Sequence, residues 1–175
     1  METGVPLHPA IVHLPLGLAM IMPFLTFGIF ILIKKEVLNP TAWILPVVLQ
    51  VVVVIFTFTS MQLGERDEEM VEEIVAEEYI EAHEDAGKIF LILGIVSLAA
   101  AGLGLKKNDF QGIVQLASVA VLFVSLGSGM YAGKLGGELV YVHGAASAFS
   151  NPDGSPVLQK DAENEAHDDD DDDDD

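Results

Sequence analysis

Four long apolar runs alternate with short polar interruptions along this chain. No Asp, Glu, Lys or Arg occurs from Thr3 to Ile33, from Val37 to Gly64, from Ile89 to Leu105 or from Phe110 to Gly133. About 20 apolar residues in helical form cross a hydrocarbon core of about 30 Å. The pattern predicts an all-α fold, a four-helix transmembrane bundle over residues 1–149, with spans at about 9–33, 41–64, 88–105 and 110–135. Pro15, Pro23 and Pro46 fall inside spans, where a missing N–H can kink a helix and free a carbonyl. The first span does not read as a cleaved signal peptide, because Glu2 replaces a basic cluster and the apolar stretch is too long.

The stretch 65–87 is rich in charge yet periodic. Val71, Val75, Tyr79, Ala82 and Ala86 recur at helical spacing with glutamates opposite, and no Pro or Gly interrupts Asp67 to Ala86. This predicts an extramembrane helix that extends the third span outward, with one apolar stripe packed on the bundle. After Phe149 the character changes again. Asn151–Pro152–Asp153–Gly154 is turn chemistry, and the chain ends in eight aspartates, Asp168 to Asp175. Residues 150–175 are expected to form a disordered acidic tail, since like charges in a block repel. Such a tail can solvate the protein or guide a basic partner.

Composition sharpens the picture. Hydrophobic residues make up 51% of the 175 and charged residues 20%, with mean hydropathy +0.44. A soluble enzyme is excluded on these grounds. There is no cysteine, which removes disulfides, thiolate metal sites, iron–sulfur clusters and covalently attached haem. A net charge of −19 argues against nucleic acid as a partner. The two short turns are basic: Lys34–Lys35 after the first span and Lys106–Lys107 after the third. The positive-inside rule assigns both to the cytoplasm and therefore both chain ends to the outside.

Candidate chemistry rests on histidine. His8 and His13 open the first span, His83 leads into the third, and His143 follows the fourth, so all four fall at the extracytoplasmic end on this topology. A lone interfacial His is commonly a hydrogen-bonding residue, but ionisable groups at a membrane boundary tend to be functional. Imidazole ligates transition metals, and two imidazoles can hold the iron of a haem b from both faces. His8 and His13 point about 140° apart on an ideal helix, so they serve different sites or different roles. Gly129, Gly133 and Gly137 repeat every four residues in the fourth span. The stripe suits close helix packing or a porphyrin lying against it. No nucleophile elbow, Walker loop or HExxH motif occurs, so catalysis by side chains alone is not expected.

Leu7–His8–Pro9–Ala10–Ile11–Val12–His13–Leu14–Pro15–Leu16 resembles the LHPxxVHFP opening of a bacterial and archaeal four-span family known as domain of unknown function 2231. Gly64, His83–Glu84 and the GGxLVYxHG block Gly136 to Gly144 are similar to it too, and the resemblance spans residues 5 to 147. The family label implies no activity. Members joined to or encoded near Rieske proteins and cytochromes imply an electron-transfer setting.

The combined expectation is a haem b-binding membrane subunit passing electrons between quinol and an external cytochrome or other redox protein. His8, His13, His83 and His143 are the candidate ligands, and Gly129, Gly133 and Gly137 the porphyrin bed. Two other readings stay open: binding or transport of copper or zinc by the same imidazoles, and a cofactor-free structural subunit. Lipid is the expected surrounding partner. Assembly as a homo-oligomer or within a larger complex is left open.

Overall fold

A computed structural model describes residues 7–150 of the chain. The acidic tail falls almost wholly outside the described residues. The elements are α1 (His8–Ile11), α2 (His13–Lys34), a 3-10 turn at Pro40–Trp43, α3 (Ile44–Val71), α4 (Glu77–Leu103), α5 (Gln111–Tyr141) and a second 3-10 turn at Ala145–Phe149. No strand occurs among the described residues. The four long helices are each long and apolar enough to cross a membrane.

The helices run up and down, and each packs on two neighbours, in the closed order α2–α3–α4–α5 and back to α2. The tightest seam lies between α4 and α5. Lipid is as apolar as leucine, so helices in a membrane associate through close packing and buried polar contacts. The interior reflects this. The buried residues of α3 are Pro46, Gln50, Val53, Thr57 and Ser60, so only Val53 is aliphatic. Phe24, Ile55, Phe58, Ile92, Ile113 and Val124 face outward instead.

Two apolar layers hold the bundle. Met22, Val53, Phe90 and Leu122 form the one nearer the histidine end. Ile29, Phe30, Trp43 and Val119 form the one nearer the lysine turns. Trp43 is fully buried, and its indole N–H donates to the Ala101 carbonyl at 2.9 Å. Pro15, Pro23 and Pro46 are also fully buried, so any backbone irregularity they cause faces protein rather than lipid.

The helices outrun the apolar stretches. α5 continues to Tyr141, so Gly136 to Tyr141 is helix beyond the span end expected at about 135. α3 continues to Val71, and α4 starts at Glu77. The unbroken helix expected from Asp67 to Ala86 is thus interrupted at 72–76. Its Val75 is buried at the break, packed with Ile80, Leu139 and Ala145. A continuous helix would carry the chain away from the bundle; the reversal seats Val75 there. Gly144, at φ +78°, turns the chain after α5 and brings Ala145 into the same cluster.

Candidate functional site

The histidine end is assembled from three chain segments. α1 is a single short helix that leans on α3. Leu7 precedes it at the N-cap position, and His8 is its first residue. The His8 ring is half-buried, and its Nδ1 lies 2.6 Å from the Ser60 carbonyl and 3.2 Å from the Ser60 hydroxyl. Gly64, one turn along α3, faces the ring: a Cβ there would sit 3.2 Å from Nδ1. Asp67, on the same face of α3, brings its carboxyl beside His8.

His83 approaches from α4. Its Nδ1 lies 3.1 Å from the Ala132 carbonyl of α5. A Cβ at Gly136 would sit 3.0 Å from its Cε1, so this glycine lets the ring lie against α5. The His8 and His83 ring centres are 6.0 Å apart, with planes at 88°. A nitrogen facing a carbonyl must be the N–H, so both rings donate through Nδ1. In the neutral form each Nε2 then carries a free lone pair. An imidazole tied to a carbonyl through its other nitrogen is the usual form of a metal-ligating histidine.

His13 and His143 are placed differently. His13 is exposed, and its Nδ1 donates to the Pro9 carbonyl one turn back. His143 stacks on Tyr79, with ring centres 3.8 Å apart and planes at 20°. The structure thus brings His8 and His83 together and gives the other two separate partners. Among the described residues no group of three or more His, Asp or Glu is arranged to hold a metal ion.

The glycine stripe divides by position. At Gly129 a Cβ would meet Phe90 at 3.0 Å and Leu16 at 3.3 Å, and at Gly133 it would meet Leu16 at 3.6 Å. Both line a groove of about 110 Å³ between α2 and α5. A Cβ at Gly137 would meet nothing within 4 Å. Close approach to an imidazole is made by Gly136 and Gly64, which the four-residue repeat does not single out. The i, i+4, i+7 spacing of Ser60, Gly64 and Asp67 is the signal in the sequence for the α3 wall of the site.

The surrounding surface is acidic. Glu68 of α3 faces Glu84 of α4, and Lys88 Nζ sits 3.1 Å from the Glu84 carboxylate and 3.4 Å from Asp85. On α5, Lys134 pairs with Glu138 at 2.8 Å. These pairs are exposed and screened by solvent, so they add little to stability.

Fold and site together define an integral membrane protein of four helices with two neighbouring imidazoles at one end. The model of the predicted membrane protein family DUF2231, whose function is unknown, matches residues 4–148, and the chain belongs to that family. Neither the curated proteins nor the solved structures contain a match to it.

Proposed function

We propose that the protein is a membrane electron-transfer subunit that holds a haem b between His8 and His83. The observation that carries this reading is the pair of imidazoles 6.0 Å apart, each tied through Nδ1 to a backbone carbonyl. His8 and His83 would hold such a group through the Nε2 atoms that their Nδ1 bonds leave free. A bare zinc or copper ion commonly asks for three or four donors from the protein, whereas haem brings its own equatorial ring. When bound, haem supplies one-electron redox chemistry.

The chain's residues do the rest. Ser60 and Ala132 carbonyls fix the ring orientation and raise the basicity of Nε2. Gly64 and Gly136 leave space for the rings. With the lysine turns in the cytoplasm, both ends of the described chain and the histidine site are extracytoplasmic. Electrons then pass between membrane quinol and an external redox protein, and the acidic rim favours a basic one.

Purified protein tests the reading through its absorption spectrum and its metal content. A Soret band with sharp visible bands on reduction, and one iron per site, is the expected result. Colourless protein carrying copper or zinc would replace it with metal binding, and colourless metal-free protein with a structural role.

A further inference from the structure

A second polar feature lies deep in the opposite half of the bundle, independent of the histidine site. Thr26, Gln50 and Ser97 are each at most 2% exposed, and Thr26 Oγ1, Gln50 Oε1 and Ser97 Oγ have no hydrogen-bond partner among the described residues. They come from three different helices, α2, α3 and α4. Thr26 lies eight residues from the end of α2, Gln50 six from the start of α3 and Ser97 six from the end of α4. At 1.5 Å per residue all three stand about 9–12 Å in from the lysine end, at one level. The level falls between the apolar layer of Met22, Val53, Phe90 and Leu122 and that of Ile29, Phe30, Trp43 and Val119.

Hydroxyls in helices normally return their proton to a carbonyl one turn back, as Thr57 does to Val53 and Ser118 to Gln115. Thr26 and Ser97 do not. The Gly94 carbonyl, within one turn of Ser97, already accepts from Gln50 Nε2 at 3.1 Å. That bond points the Gln50 amide at α4 and leaves Oε1 as an acceptor in need of a donor. A buried polar group left unpaired is costly, and in a membrane no bulk water relieves it.

We propose that Thr26, Gln50 and Ser97 form a buried water-binding site that ties α2, α3 and α4 together. Water matches the donor set: it donates to Gln50 Oε1 and exchanges hydrogen bonds with the two hydroxyls. Two to four polar partners is what a buried water requires. A cation is disfavoured, because three oxygens are few for its coordination and its uncompensated charge in this environment is costly. Met22, one turn from Thr26 and 1% exposed, reports on the site.

An experimental structure of the full chain in lipid nanodiscs, at a resolution that shows ordered water, tests the proposal. Water density within hydrogen-bond distance of Gln50 Oε1 and at least one of the two hydroxyls is expected. Hydroxyls turned onto their own helix carbonyls, with no density between them, would overturn it. Radiolytic footprinting, in which bound water generates the label locally, gives an independent reading. Met22 oxidation should fall several-fold in a Thr26→Val/Ser97→Ala variant; equal labelling in both proteins would overturn the site. A melting temperature raised by sodium or potassium but not by choline would assign a cation instead and overturn the water proposal.

Discussion

Gly104→Ala is a severe test of the packing at the lysine end. Gly104 closes α4 at φ −64° and ψ −9°, a conformation that alanine adopts without strain. Any effect therefore comes from space. A Cβ there would sit 2.8 Å from Trp43 Nε1, 2.9 Å from Gln115 Cγ and 3.1 Å from the Ala101 carbonyl oxygen. Trp43 has no room to retreat, being fully buried, and moving it lengthens its bond to Ala101. Overpacking a tight core costs about 1–3 kcal/mol and disturbing a buried hydrogen bond about another 1–3. Alanine's better helix propensity returns at most about 1 kcal/mol. The net is a loss of about 1–6 kcal/mol. At the scale of soluble domains of this length, that lowers the melting temperature by roughly 2–24 °C. Gly102→Ala is the control, since nothing lies within 4 Å of its Cβ position. Trp43 is the sole tryptophan, so its fluorescence in detergent or nanodiscs reads the site directly. Gly104→Ala should melt earlier, with native emission shifted to the red. Equal melting and equal emission for the two variants would refute the packing argument.

At the histidine end, His13→Ala should leave any cofactor spectrum intact, because His13 is exposed and bonds only to its own helix. Gly64→Val should diminish that spectrum, since its side chain occupies the space of the His8 ring; haem content per protein checks both. Phe90→Ala should cost about 3–5 kcal/mol by opening a cavity in the layer with Met22, Val53 and Leu122, measured as lost thermal stability. A reporter fused after Lys35 or Lys107 should read cytoplasmic and one after Asp161 external; an Asp161 fusion that reads cytoplasmic would invert the assigned orientation.

The four helices were legible because charge is excluded from each apolar run, a constraint set by lipid and not by tertiary detail. The ends of the helices were less so. Nothing in Glu72–Glu73–Ile74–Val75–Ala76 is a helix breaker. The chain breaks there because Val75 gains burial against Ile80, Leu139 and Ala145, contacts distant in sequence. At the site, the sequence brought four histidines to one end but could not pair them. His8 and His83 meet because the Ser60 and Ala132 carbonyls anchor their rings, and a backbone acceptor leaves no mark in the identity of its residue. The glycine repeat marks close helix packing at Gly129 and Gly133, while the glycine against the His83 ring, Gly136, lies beside the repeat. The small positions that matter, Gly129, Ala132 and Gly136, face α4 at i, i+3 and i+7, while the four-residue repeat drifts off that face. The inner polar layer was also hidden, since Thr26, Gln50 and Ser97 are isolated residues until the fold aligns their depths.

The central claim is that His8 and His83 act as one pair of ligands. Its most direct measurement is the haem content and reduced-minus-oxidised spectrum of the wild-type protein beside His8→Ala and His83→Ala, each purified in the same detergent. The account predicts a low-spin haem spectrum in the wild type and its loss in both variants, with helical content unchanged by circular dichroism. A wild type without haem, or a low-spin spectrum that survives in either variant, would contradict it.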